Sequence, residues 1–200
     1  MRKAAEMYRK AFEFDEKIGH LQGAARHLAN LGIIYEESGE LDKAEDIHAK
    51  ALEIEKKIGN LEGVAREYGN LGGVHLKRGD IDKAEEMYKK SLQASQRVGL
   101  PDVVARDYGN LAVIYQRKGE LDKAEDIHLK SLEIAERLGL QEVMASNYGD
   151  LGLLYMDRGD LRNARQYWEK AVELYKKVGM VHMMERVQGW IEELDKDSGP

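Results

Sequence analysis

Arginine and asparagine recur four residues apart at a fixed interval along this chain: Arg26 with Asn30, Arg66 with Asn70, and Arg106 with Asn110. At the next two intervals the same places hold Ser146 with Asp150 and Arg186 with Trp190. Four residues make about one helical turn, so each pair shares a helix face. Between the members of each pair lie Ala29, Gly69, Gly109, Gly149 and Gly189. A carboxamide carries both donor and acceptor, so it can bond the backbone of an extended peptide whatever its side chains. A guanidinium adds planar donors for carboxylates, carbonyls or phosphates. Glycine inside a helix costs about 1 kcal/mol relative to alanine, and it allows close approach to the helix backbone. Such chemistry recognises a ligand and breaks no bond in it.

Further along the same helices come Ile33, Gly73, Val113 and Leu153, then Glu36, Leu76, Gln116 and Met156. The candidate groove residues are therefore Arg26, Asn30, Arg66, Gly69, Asn70, Arg106, Gly109, Asn110, Gln116, Gly149, Asp150, Leu153 and Met156. Plainer readings stand beside this one. The glycines could serve close packing of adjacent helices, the asparagines could bond to neighbouring helices, and the arginines could pair with Glu67 or Asp107. Ser146, Asp150 and Asp157 change the character of the face, so a ligand would pass from a basic, amide-rich middle to an acidic, apolar end.

Catalysis finds no support. His20, His27 and His182 have no partners at metal-ligand spacing, and His48 and His128 occupy a packing place that elsewhere holds Tyr88 and Trp168. The pairs Glu45/Asp46, Glu85/Glu86 and Glu125/Asp126 recur with the period and read as solvated helix surface. No P-loop, HExxH or GxSxG occurs. The expectation is a non-enzyme without cofactor or metal.

The elements that carry these rows repeat every forty residues: Ala25–Val64, Ala65–Val104, Ala105–Met144 and Ala145–Met184 follow one another without a gap. Glu40–Gly59 and Glu120–Gly139 are near-copies. In the second unit Tyr68, Leu71, Val74 and His75 fall at helical spacing, and Gly79 stands where a left-handed C′ residue is wanted. Asp80 is placed to cap the following helix, which carries Ile81, Ala84, Met87, Tyr88, Ser91 and Leu92 on its inner side and stops at Gly99. Connections of two or three residues make the helices antiparallel neighbours. Gly32, Gly72, Ala112 and Gly152 on the first helices are expected to meet Ala44, Ala84, Ala124 and Ala164 on the second. Tyr35, His75, Tyr115 and Tyr155 are expected as large wedges between layers, with His48, Tyr88, His128 and Trp168 on the second helices.

Composition narrows the class. The net charge is −6 with 34% of residues charged in mixed signs, which argues against a surface for duplex DNA or anionic membrane. There are two prolines and no cysteine, so disulfides and thiolate metal sites are excluded. No apolar run approaches a membrane span or a signal-peptide core, and the expected location is the cytoplasm.

The pattern NLGxxY, then G-[DE]-[LI]-x-x-A, with Asn30-Leu31-Gly32, Tyr35, Gly39, Ala44 and Ala51 as its first instance, resembles the tetratricopeptide repeat (TPR). The resemblance covers nearly the whole chain. The family's unit is usually 34 residues; the longer unit and the form RxYxNLG resemble the LGN/Pins adaptors and the kinesin light chains. His75 for tyrosine, Ala112 for glycine, and Ser91 and Ser131 for alanine are mild departures. The resemblance implies an all-α fold, a right-handed α-solenoid of antiparallel helix pairs (a TPR superhelix) with about ten helices. It also implies a concave face that binds extended peptides.

One array over residues 1–200 is expected: a half repeat at 1–24 holding only a second helix, repeats at 25–64, 65–104, 105–144 and 145–184, and a capping helix with a polar tail at 185–200. That helix starts near residue 181. The expected function is an adaptor that binds an extended, acidic or polar protein segment. A self-assembling scaffold joined through the open N-terminal half repeat is the alternative, as is a regulatory domain of a larger enzyme or sensor.

Overall fold

A computed structural model describes residues 2–197. Among them it has ten helices: α1 (Arg2–Lys17), α2 (Leu21–Glu37), α3 (Leu41–Ile58), α4 (Leu61–Arg78), α5 (Ile81–Val98), α6 (Pro101–Arg117), α7 (Leu121–Leu138), α8 (Gln141–Asp157), α9 (Leu161–Lys177) and α10 (Val181–Asp197). The fold is all-α, as the period predicts. The end of the expected polar tail, residues 198–200, lies outside the described residues.

Helices α1 to α9 stop for a local reason. Glycine stands at every twentieth residue from Gly19 to Gly179, and each has φ between 68° and 89°, which L side chains adopt only with strain. At Gly59 the turn closes by two bonds, Gly59 N–H to Lys56 O (3.2 Å) and Asn60 N–H to Glu55 O (3.0 Å). Gly59 and Asn60 alone separate α3 from α4. The expected Asp80 cap does not form: its side chain bonds no backbone N–H, and Oδ2 instead lies 3.6 Å from His75 Nδ1 and 3.7 Å from an Arg78 nitrogen. The nearby cation competes with the amides for the carboxylate. Asn60 and Asp160 do cap, accepting from Gly63 N–H (3.3 Å) and Asn163 N–H (3.1 Å).

The chain divides into two compact units, Met1–Val103 and Val104–Pro200. In the first, α1 packs on α2, α2 on α3, α3 on α4 and α4 on α5. Its core includes Leu28, Leu31, Leu52, Val64, Leu71 and Val74, with Ala24, Ala44 and Ala84 fully enclosed. In the second, α7 packs on α8, α8 on α9 and α9 on α10. There Trp168, Tyr175, Val187 and Leu194 form a buried cluster closed by Leu153, Trp190 and Ile191. Burying one such large apolar side chain contributes about 1.5–3 kcal/mol.

Gly32, Gly72 and Gly152 of the first helices lie against large rings of the second. A Cβ on Gly32 would lie 2.5 Å from the His48 ring, and one on Gly72 would lie 2.9 Å from Tyr88. A Cβ on Gly152 would collide with the indole of Trp168. The wedge ring of the second helix thus lies flat on the glycine of its own repeat. The large ring occupies the space that the absent side chain leaves.

Candidate functional site

On the first helices the residue after each place of the arginine row (Arg26, Arg66, Arg106 and then Ser146) is His27, Glu67, Asp107 or Asn147, and it lies on a different side of the helix. Glu67, Asp107 and Asn147 are buried, whereas Arg26, Arg66, Arg106 and Ser146 are exposed. Glu67 Oε2 lies 2.7 Å from Nδ1 of the fully buried His48, a residue of the preceding repeat. Nδ1 of His128 lies 2.8 Å from Oδ1 of Asn147. The Asn147 amide donates to Ser131 Oγ (2.9 Å) and Val143 O (2.8 Å), and Ser131 donates to Ala105 O (2.6 Å). Ser91 donates likewise to Ala65 O (2.9 Å). These serines, mild departures by sequence, tie the two helices of their own repeat together. The sequence held a signal for this network: an imidazole followed 19 positions later by a hydrogen-bonding side chain, twice.

With that row assigned to the interior, Arg66 does not pair with Glu67. Its guanidinium lies 2.8 Å from Glu62, one turn earlier on the same exposed surface. The acidic pairs read as solvated surface also prove half interior. Glu45 takes Arg78, and Glu125 takes Arg158 and the Tyr155 hydroxyl. The Arg78 hydrogen bond holds Glu45 below the ordinary carboxylate range. His20 and His27 are not isolated, because both approach Asp15, at 3.2 and 3.4 Å. No cluster able to hold a metal ion occurs among the described residues.

Each unit has its own cleft on the exposed first-helix side. In the first unit a cleft of about 400 Å³ is lined by Arg26 and Ala29 of α2, by Gly63, Arg66 and Glu67 of α4, and by Glu55 of α3. Asn30 and Asn70 stand outside that lining. Asn70 reaches toward Glu67 Oε1 (3.4 Å), and Asn30 bonds no side chain among the described residues. Glu55 is buried against Gly63, where a Cβ would collide with its carboxylate. Burial raises its pKa, and Glu67 and Glu62 add to the rise against the opposing Asn60 hydrogen bond. Asp15 lies on Gly23 in the same way.

The second cleft, about 620 Å³, gathers more of the expected residues. Arg106, Gly109 and Asn110 of α6 face Ser146, Asn147 and Asp150 of α8, with Leu140 and Gln141 at one turn and Val178 and Met180 at another. A Cβ on Gly109 would touch Asn147 at 3.4 Å, and one on Gly149 would lie 3.7 Å from the Tyr175 hydroxyl, both ordinary contacts. Gly69 is helical and partly exposed in the first unit. Gln116, Leu153 and Met156 lie beyond this cleft. Gln116 donates to Asp157 Oδ2 (2.7 Å), Leu153 packs on the Trp168 cluster, and Met156 is exposed. In the first unit Lys77 pairs with Glu36 (2.9 Å), an equivalent clasp between α2 and α4.

Asp150 lies at the floor of the larger cleft. It keeps a solvent-facing edge while protein surrounds its other sides, and this desolvation raises its carboxyl to about 7 against the opposing pull of Arg186. His128 is held neutral by its burial, with its pKa lowered to about 4.

Sequence profiles described as tetratricopeptide repeat match residues 1–57 and 63–139, and again residues 145–178. No curated protein matches the chain. Among solved structures, BtubC (BKLC) from P. vanneervenii is 21% identical with a TM-score of 0.74, over 96% of this chain and 90% of that one. The apo form of RapI is 15% identical with a TM-score of 0.71, over 92% and 74% of the respective chains. Aspartyl phosphate phosphatase F from Bacillus subtilis is 14% identical with a TM-score of 0.74, over 86% and 48%. These likenesses are of fold. No helix among the described residues is long and apolar enough to cross a membrane.

Proposed function

Because the chain belongs to the tetratricopeptide repeat family, whose repeats are generally non-catalytic modules of protein–protein interaction, we propose that it is an adaptor that binds an extended segment of a partner protein along its first-helix faces. The observation that carries this reading is the larger cleft, where Arg106 and Asn110 of one first helix face Ser146 and Asp150 of the next. No side chain among the described residues bonds the Asn110 carboxamide, which leaves a donor and an acceptor for a peptide backbone. The arginines of each unit's own cleft, Arg26 and Arg66 in the first and Arg106 in the second, favour a segment of acidic or polar character. A cytoplasmic setting fits the lack of cysteine.

The test is a fourfold variant, Arg66, Asn70, Arg106 and Asn110 all to alanine. Helicity and melting should stay close to wild type, because Arg66 and Arg106 are exposed, Asn110 lines an open cleft and Asn70 makes only a long 3.4 Å contact to Glu67. Capture of partners from the source lysate, read by mass spectrometry, should be lost. Undiminished capture by the variant sinks the reading.

A second reading has its own observation. Met7 and Phe14 on α1 and Ile18 in the turn just after it are 64%, 63% and 59% exposed, an apolar stripe that favours association of two copies. Light scattering at high micromolar concentration separates the two readings, since a strict monomer removes the second.

A further inference from the structure

The larger cleft is lined by a carboxylate that has no hydrogen-bond or ion-pair partner among the described residues. Asp150 stands where the two preceding repeats of the row have Asn70 and Asn110, and Ser146 stands where they have Arg66 and Arg106. A cation has thus been removed from this place in the period, and an anion has been added one turn later. Among the described residues no hydrogen bond and no ion pair reaches the Asp150 carboxylate. The charged and titratable groups around it are Arg106 on α6, Glu142 earlier on α8, Tyr175 on α9 and Arg186 on α10. Arg106 has interactions of its own, Arg186 lies over the Trp190 ring, and Tyr175 shares a hydrogen bond with Ser146. None makes an ion pair with Asp150, and Arg186 acts on it only as a more distant charge that opposes the desolvation. The same cleft's lining includes apolar Val178 and Met180, and Met180 is 36% exposed.

We propose that this cleft takes a cationic group of the bound segment, an ammonium or a guanidinium, with the Asp150 carboxylate as its counter-ion and Val178 and Met180 against its methylene stem. A lysine or arginine side chain fits this division, because its stem packs on apolar surface while its head seeks charge. Where the basic rows favour acidic or polar character, this one place selects the opposite sign. The inference rests on the groove reading and adds to it a sign of charge at a stated position.

A pairing of this kind is linked to protons. The desolvation that holds the empty carboxyl near 7 is offset when a cation enters, so binding expels the proton. Affinity for a cationic segment should therefore rise about tenfold between pH 6 and pH 8, as the ionised fraction of the free cleft grows.

The test is backbone-amide NMR on the full chain with four short probes: Ac-Ala-Lys-Ala-amide, its neutral norleucine analogue, the norleucine peptide with a free amino terminus, and Ac-Ala-Glu-Ala-amide. The lysine probe, the free-amine probe or both should shift the amides of Gly149, Asp150 and Met180, more strongly at pH 8 than at pH 6. Whichever does so identifies the cation as a side chain or a terminal amine. Asp150→Asn should abolish both the shift and its pH dependence. Equal shifts from the neutral and cationic probes, or a variant that responds like wild type, overturn the proposal. If the glutamate probe moves Arg106 and Asn110 while no cation moves Asp150, cation selection fails and the groove reading stands. If no probe moves either helix, both fail.

Discussion

Nδ1 of His128 donates to Oδ1 of Asn147 across 2.8 Å, a buried bond between the second helix of one repeat and the first helix of the next. Since the Asn147 amide already donates to Ser131 and Val143, its oxygen must be the acceptor, and the proton sits on Nδ1. In the first unit the equivalent bond is His48 to Glu67. Neighbouring repeats are thus joined by a polar contact inside an otherwise apolar layer.

Removing one end of that chain of bonds should be costly. Asn147→Ala leaves His128 Nδ1 and Ser131 Oγ without their partner in a closed interior, and it should destabilise the protein by about 2–3 kcal/mol. Urea unfolding followed by circular dichroism measures this, and a loss below about 0.5 kcal/mol contradicts the account.

The same histidine should make the protein sensitive to acid. Its pKa is lowered to about 4 in the folded state, so the unfolded chain binds the extra proton between roughly 6.5 and 4. The contribution is fully present above 6.5 and is lost as the pH falls toward 4, by up to about 3 kcal/mol. Melting temperatures of wild type and His128→Gln across that window decide it, since the variant should lack this part of the slope whatever its absolute stability.

Asp150 acts with the opposite sign. Its folded-state pKa lies above the unfolded one, so its contribution is greatest below about 3.8 and is lost as the pH rises through about 7. Asp150→Asn should therefore stabilise the protein at pH 8 by about 1–2 kcal/mol, reduced from the full shift by its solvent-facing edge, and change little at pH 4. Equal effects at both pH values would falsify this assignment.

Helix glycines should divide into two classes. Gly152→Ala drives a methyl into the Trp168 ring and should cost about 1–3 kcal/mol. Gly109→Ala and Gly149→Ala meet only ordinary contacts and should stabilise the helices by up to about 1 kcal/mol. If a bound segment lies close to the helix backbone, as proposed, these two stabilised variants should bind it more weakly.

Glu55 and Gly63 form a volume pair. In the next two repeats the corresponding places hold Ser95 with Val103 and Ala135 with Val143, so there the side chain shrinks where the glycine grows, whereas the last repeat has Tyr175 with Met183. Gly63→Val alone should destabilise by about 3 kcal/mol, because its side chain would overlap the buried carboxylate. Adding Glu55→Ala should recover most of the loss, and a double variant no better than the single one would break the pairing.

Much of this architecture is legible in the chain itself. The forty-residue period, the helices and the left-handed glycines follow from local rules, because a turn at Gly59 or Gly79 depends only on residues within a few positions of it. The rows Arg26–Arg66–Arg106 and Asn30–Asn70–Asn110 were equally visible, and α6 and α8 bring Arg106, Asn110 and Asp150 to one cleft. Only the tertiary structure decided what stands opposite each face. Glu67 and Asn147 turn inward to imidazoles 19 residues away, Gly72 receives a ring 16 residues away, and Asp150 is left desolvated and unpaired. Helical periodicity gives a side chain's direction about its own axis. Partners, burial and the resulting pKa come from other helices, and those appear only once the repeats are packed.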